Sequence, residues 1–410
     1  MNYINRHMEK QIAQLSKSWS AILLTGPRQS GKTTMLKNIA ERENIGREYV
    51  SLDDLTLREM AKNDPKMFLQ LHKPPVIIDE VQYAPELFTY IKIHIDEHRN
   101  PGDFWLTGSQ IFRLMQGVQE SLAGRVALLH MSPLSQREIM GVPNRPFTTD
   151  FDELVDDSRQ NNNPLTAPEL FERIWNGSMP GLASGDYSDR NVFYSSYLST
   201  YIERDVRELS GAIDALKFSK FITAAAARAS QLVNYKAMAD DADIDQVTAK
   251  AWLGILETLG IVFLLHPYSN NVLKRTIKTP KLYFYDTGLV CYLTKWSSPE
   301  VAESGAMSGA LLENFTVSEI VKGYQNAGKE PYLNYYRDKD AREIDVIIEG
   351  DGKLCPLEIK KTATPDKRLI RTFKLLDKSP LVVGTSAVLC MADKLGAFDS
   401  ENLIVPIWMI

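Results

Sequence analysis

Several short stretches of this chain combine residue types that do phosphate and metal chemistry. In "AILLTGPRQSGKTTML", Gly26 to Thr33 fit the spacing G-x-x-x-x-G-K-[ST], between a buried strand and a helix start. Backbone N–H groups in such a loop, together with the helix N-terminus, cradle phosphates. The residues in that position are Gly26, Pro27, Arg28, Gln29, Ser30, Gly31, Lys32, Thr33 and Thr34. Lys32 would reach the β- and γ-phosphates, and the Thr33 hydroxyl would ligate Mg²⁺. "PPVIIDEVQ" reads as a buried strand ending in Asp79-Glu80. Asp79 would hold the same Mg²⁺, and Glu80 would orient and activate the attacking water. A further strand, "DFWLTGSQ", ends in Thr107 and Ser109, of which Ser109 is the candidate sensor of the γ-phosphate. Arg125 stands just before a fifth strand, where it could reach a neighbour's γ-phosphate as a finger or make a surface salt bridge.

The other end of the chain poses a different question. "EIDVIIEGDGKLCPLEIKK" reads as two strands joined by a Gly-Asp-Gly turn, yet it carries Asp345, Glu358 and Lys360 in apolar surroundings. Side chains alternate along a strand, so Glu358 and Lys360 share one face and Asp345 can approach them across the hairpin. Asp345 and Glu358 would hold Mg²⁺ through hard oxygen ligands, and the metal would lower the pKa of a bound water. Lys360 would position the nucleophile or steady the developing charge. A cross-hairpin ion pair is the plain alternative, but it costs desolvation without an obvious gain in stability.

These residues need elements to hold them. Strands at roughly 21–26, 48–52, 76–80, 103–108 and 126–132 alternate with helices, which predicts a parallel α/β sheet with phosphate chemistry at its carboxyl edge. Residues 148–170 are acidic and polar, with an Asn run and two prolines, and read as a linker or exposed insertion. In "NVFYSSYLSTYIERDVREL", Tyr194, Tyr197, Tyr201 and Val206 fall at helical spacing and are expected in a core. From Leu216 to Leu282, three helices and a hairpin with a basic tip read as a winged helix-turn-helix. Lys250 would lie on its second motif helix and Lys274, Arg275 and Lys278 on the wing, where they could meet DNA phosphates. Asp240, Asp241, Asp243 and Asp245 in the motif turn would repel a duplex. "GALLENFTVSEIVKGYQ" reads as an amphipathic helix carrying Glu313 and Glu319. "PDKRLIRTFKLLDK" reads as a helix with Lys367, Arg371, Lys374 and Lys378 on one side and Leu369, Phe373 and Leu376 on the other. That stripe could follow a nucleic-acid backbone or be a solvated face.

The expected order is an ATPase core over 1–147, a linker over 148–170, a helical lid or bridge over 171–215, a winged helix over 216–290 and a last α/β domain over 300–410. The 410 residues are too many for one ordinary core. A hydrophobic share of 44% with 24% charged residues describes a globular chain, and the net charge of −5 neither announces nor excludes a nucleic-acid partner. Cys291, Cys355 and Cys390 form no CxxC pair, which argues against a disulfide framework or a cysteine zinc site. The opening "MNYINRHMEKQI" has no apolar signal core, and no apolar run reaches membrane length, so a cytoplasmic protein is expected.

Together, "LTGPRQSGKTT", "IIDEVQ", "LTGS" and "SLAGR" resemble the bacterial and archaeal AAA-type ATPases, in particular the group with a C-terminal domain of unknown function. The resemblance implies an AAA+-like core and self-association. The order D-(x12)-E-x-K resembles the active site of the PD-(D/E)xK, restriction-endonuclease-like nucleases, although Ile344 replaces the leading proline. It implies that Glu313 adds a further metal carboxylate. The resulting expectation is an ATP- and Mg²⁺-dependent protein that acts on DNA, in repair, branched-DNA processing or defence, with its last domain either cutting the DNA or serving as a binding scaffold. The rival expectation is a nucleotide-controlled switch whose C-terminal domains bind a protein partner without cleavage.

Overall fold

The computed structural model describes residues 3–108, 122–202, 206, 214–269 and 279–410; the side chains of 201 and 202 are outside the description. The first sheet contains β1 (Ala21–Thr25), β2 (Glu48–Ser51), β3 (Val76–Asp79), β4 (Phe104–Gly108) and β5 (Val126–His130), in the order β2-β3-β4-β1-β5. Every pairing in it is parallel. Alternation decides which core each residue joins. Ile22, Leu24, Ile77 and Trp105 pack on one face against Met35, Leu36 and Ile39 of the helix Lys32–Glu43. Ala21, Leu23, Ile78 and Leu106 pack on the other against Phe88 and Ile91 of the helix Leu87–His98. Both faces are covered, so β1 is buried throughout and apolar from Ala21 to Leu24.

The middle of the chain is helical, then forms a hairpin. Residues 148–170, expected as a linker, contain the helix Phe151–Gln160, capped by Asp150. Asp157 on that helix is buried because Arg137 forks onto it, a partner the local sequence does not reveal. The helices Ala215–Ala226, Tyr235–Ala242 and Gln246–Thr258 precede β6 (Val262–Leu265), which pairs antiparallel with β7 (Lys281–Phe284). Asp245 caps the third helix, as its sequence indicates.

The last sheet has β8 (Leu333–Arg337), β9 (Glu343–Gly350), β10 (Lys353–Lys360), β11 (Val382–Val383), β12 (Ser386–Cys390), β13 (Gly396–Asp399) and β14 (Asn402–Pro406). β8, β9 and β10 form an antiparallel meander, and β12 then lies parallel to β10. Asp351 and Gly352 take positive φ in the β9–β10 turn, where the sequence places Gly-Asp-Gly. Buried residues from Phe147 through the middle helices to this sheet form one continuous cluster, so these segments share a core.

Two expectations change. The helix Ser308–Asn326 is not half-exposed: Asn314, Glu319 and Lys322 are buried with its apolar residues. Its polar residues find partners far away in the chain. Asn314 brackets the backbone of Phe284 at 2.8 Å on both sides, and Lys322 donates to Leu134 O and Ser178 Oγ at 3.1 Å. The segment Lys367–Lys378 is a 3₁₀ helix, so residues three apart align. Phe373 and Leu376 face inward while Arg368, Arg371 and Lys374 share an exposed ridge. Lys367 leaves the expected stripe and pairs with Asp399 at 2.8 Å.

Candidate functional site

The loop after β1 and the ends of β3 and β4 meet at the carboxyl edge of the first sheet. Gly26 has φ +142°, and a Cβ there would lie 2.1 Å from the carbonyl oxygen of Met131. Only glycine lets the loop leave β1 this close to the chain after β5. Gly26→Ala is therefore expected to lose about 1–3 kcal/mol of stability, read as a lower melting temperature. An unchanged melt would show that the loop can move aside.

Gly31, in the left-handed region, starts the helix Lys32–Glu43. The buried Lys32 ammonium donates to Gly26 O at 2.9 Å and Pro27 O at 2.8 Å, which holds it over the loop mouth. Thr33 Oγ1 donates to Asp79 Oδ2 at 2.9 Å. That hydroxyl–carboxylate pair is a hard-oxygen donor set suited to Mg²⁺. Two further groups hold Asp79, and the sequence reading gave neither this role: Tyr49 donates to its Oδ2 at 2.8 Å and Thr107 to its Oδ1. Burial and the charge of Asp79 raise the pKa of Tyr49, which keeps it a donor. Glu80 follows in a left-handed conformation, with Gln82 donating to it and Arg28 at 3.9 Å. Ser109 lies outside the described residues. Arg125 sits at the opposite, amino edge of the sheet and forks onto Asp96 at 2.6 and 3.1 Å. It is thus away from its own chain's phosphate loop.

A cavity of about 250 Å³ opens beside this loop, lined among others by Tyr3, Ile4, Gly31, Thr34, Pro180 and Tyr187. Behind the loop lies His130, whose burial, with the charge of Lys32, pushes its pKa down to about 4. Neutral in the fold, it protonates readily once unfolded. Its contribution is complete above about pH 6.5 and is lost as pH falls toward 4, about 3 kcal/mol in all. His130→Gln should then lose less stability than the parent between pH 7.5 and pH 5, measured by urea unfolding. Parallel losses would contradict this.

The second cluster forms where β9 and β10 run side by side. Leu357 pairs with Val346, which puts Asp345 and Glu358 on the next rung. Lys360 Nζ lies 2.7 Å from Glu358 Oε1 and 3.5 Å from Asp345 Oδ2, so the three expected residues do meet. Asp345 Oδ2 also accepts the Ile359 N–H at 2.9 Å. Glu313 joins from the buried helix, but through partners the sequence did not indicate: Lys281 and Tyr283 of β7 donate to its Oε1 at 2.8 and 2.7 Å. Burial first, and then the charge of Asp345, push the carboxyls of Glu313 and Glu358 well above the usual range. Burial opposes the Lys281 charge, but Glu313, Asp345 and Glu343 outweigh it and raise its pKa.

The donor set fits a divalent cation in one respect: Glu358 Oε2 is buried without a hydrogen-bond partner. It does so with two carboxylates, because among the described residues no group of three or more His, Cys, Asp or Glu side chains is arranged to hold a metal ion. Substrate oxygens and water would complete the shell.

The DNA-contact candidates divide. Lys250 is exposed on the helix Gln246–Thr258, and Arg371 and Lys374 line a groove of about 580 Å³. Lys274, Arg275 and Lys278 lie outside the described residues. Of the four acids in the motif turn, Asp241 pairs with Arg228 at 2.6 Å, Asp243 with Lys217 at 3.1 Å, and Asp245 is a helix cap. No helix among the described residues is long and apolar enough to cross a membrane.

Three segments of the chain match models of known families. Residues 18–140 match the model of the AAA domain family. Residues 167–300 match a domain of unknown function (DUF8612), and residues 308–410 another (DUF4143). The uncharacterized proteins Rv2008c of Mycobacterium tuberculosis and Mb2031c of Mycobacterium bovis are each 28% identical over 346 residues, 84% of this chain and 71% of theirs. Among solved structures, the Walker-type ATPase PABY2304 of Pyrococcus abyssi gives a TM-score of 0.44 at 14% identity, over 71% of this chain and 96% of that one. The RuvB Holliday junction branch migration motor of Thermotoga maritima gives 0.31 at 14% identity, over 62% and 88%. The match over residues 18–140 makes the first segment similar to the AAA domain family, and the two segments after it match families that carry no assigned function.

Proposed function

We propose that this chain is an ATP-hydrolysing protein that acts on DNA, with a metal-dependent nuclease-like site in its last domain. The observation that carries the DNA half is the meeting of Asp345, Glu358 and Lys360 on β9 and β10, in the same chain as a phosphate loop. Around these residues stand the helix Ser308–Asn326, the antiparallel meander β8-β9-β10, the 3₁₀ helix and β12, which runs parallel to β10.

At the first site the loop Gly26–Thr34 wraps the phosphates, and Lys32 swings from its carbonyl partners to the β- and γ-phosphates. Thr33 and Asp79 hold Mg²⁺, with Tyr49 and Thr107 fixing the carboxylate. Glu80 takes the proton of the attacking water. The base enters the cavity between Tyr3, Pro180 and Tyr187. Ser109 senses the γ-phosphate. Arg125, paired with Asp96 on the far edge, would as a finger serve a neighbouring subunit's nucleotide, and this reading takes the active protein as an oligomer.

At the second site Asp345 and Glu358 hold Mg²⁺, which when bound supplies an activated water and offsets charge on a phosphodiester. Lys360 orients the nucleophile. The winged-helix segment offers Lys250, Lys274, Arg275 and Lys278 to the backbone, and the 3₁₀ ridge offers Arg371 and Lys374, with Lys367 beside it. With Asp241 and Asp243 paired off, the motif turn repels a duplex less than its composition implies. A second reading, a nucleotide switch for a protein partner, draws on the internal matching of the carboxylates by Lys281 and Lys360.

ATP turnover with and without duplex DNA separates the two. The DNA reading expects stimulation that falls steeply with salt and weakens in Arg371→Glu/Lys374→Glu. Turnover indifferent to DNA would favour the switch.

A further inference from the structure

Lys281 comes from β7, not from the nuclease-like hairpin, yet its ammonium lies inside that hairpin's carboxylate cluster. Its Nζ is 2.8 Å from Glu313 Oε1, 2.6 Å from Glu343 Oε1 and 3.9 Å from Asp345 Oδ1. Lys360 Nζ addresses the other oxygen, Asp345 Oδ2, at 3.5 Å. Asp345 therefore stands between two cationic groups, one facing each of its oxygens. A carboxylate shared by two cations is how two-ion phosphoryl-transfer centres are built.

The two lysines differ in freedom. The Lys281 side chain is 4% exposed, enclosed by β7, the helix Ser308–Asn326 and β9. The Lys360 side chain is 40% exposed and can turn outward. The orphaned Glu358 oxygen belongs to the Lys360 side of the cluster. On that side the cation between Asp345 and Glu358 is the half-exposed Lys360 ammonium, which a divalent ion would displace. On the other, the cation is tethered to the backbone of β7 and already satisfies Glu313 and Glu343.

We infer that Lys281 permanently takes the place of a second divalent ion, so that this domain binds one divalent cation, between Asp345 and Glu358. The inference rests on the proposed metal-dependent reading of the site and adds to it the number of ions and the role of a residue from outside the domain. Glu313, expected as a metal ligand, becomes the ligand of the tethered ammonium instead.

The test is Mn²⁺ stoichiometry, read by electron paramagnetic resonance on the full, nucleotide-free chain. An Asp79→Asn background removes the metal site at the phosphate loop. One Mn²⁺ per chain is expected, rising to two in Lys281→Met and remaining one in Lys281→Arg. Mn²⁺ should also raise the melting temperature of Lys281→Met more than that of the parent, because it replaces the lost cation. Two ions in the parent or in Lys281→Arg would overturn the inference even if Lys281→Met does not fold. One ion in a folded Lys281→Met would overturn it too, but leave the metal site at Asp345 and Glu358 standing. No Mn²⁺ in any variant would remove the metal-dependent reading itself, and the inference with it.

Discussion

Glu80→Gln is expected to bind ATP as the parent does while turning it over about 10²–10⁴-fold more slowly. The carboxylate sits one residue beyond Asp79, on a left-handed turn that directs it away from the strand. Gln82 donates to it and Arg28 of the phosphate loop lies 3.9 Å away, which sets it beside the loop where the attacking water would be oriented. Glutamine keeps the shape and the contact with Gln82 but cannot take a proton. Binding depends on other groups, chiefly the loop backbone and Lys32, so an ATP-induced rise in melting temperature should survive. Lys32→Ala should lose that rise. Equal turnover in Glu80→Gln and parent would assign the base elsewhere.

The second large effect is expected at Lys360. Its ammonium is 2.7 Å from Glu358 and 3.5 Å from Asp345, the two carboxylates assigned to the metal. Without it, Glu358 loses the charge that counters burial and the repulsion of Asp345, and its carboxyl is driven further toward the protonated form. Lys360→Ala should therefore lose both the orienting group and part of the metal affinity, for a drop in Mg²⁺-dependent DNA cleavage of at least about 10²-fold. Because the side chain is partly exposed, the melting temperature should change little, which separates a chemical defect from unfolding. Glu358→Gln should remove cleavage as well, whereas Lys378→Ala, on the exposed 3₁₀ helix, should leave it intact.

What could be read from the sequence follows how far apart the interacting residues lie along the chain. The phosphate loop is legible because its chemistry needs nine neighbouring residues, Gly26 to Thr34, in a fixed order. The hairpin is legible because alternation and a Gly-Asp-Gly turn place Asp345 against Glu358 without outside help. Tyr49 was not, because its approach to Asp79 depends on β2 lying beside β3, a matter of sheet order. Lys281 was not, because its three carboxylate partners lie on two later elements. The helix Ser308–Asn326 reads as amphipathic because burial of its polar face depends on Lys322, Asn314 and Glu319 meeting distant partners. In the basic stripe a period of 3.6 places Lys367 on the exposed ridge, whereas the chain turns every three residues and places Arg368 there.

In the proposed function, one chain joins ATP turnover to metal-dependent work on DNA. The most direct measurement is cleavage of supercoiled, linear and branched DNA in Mg²⁺ or Mn²⁺, with and without ATP, for the parent, Lys360→Ala and Lys32→Ala. Cleavage by the parent is expected, disappearing in Lys360→Ala and losing its response to ATP in Lys32→Ala. Absence of cleavage by the parent on every DNA and with both metals would contradict it.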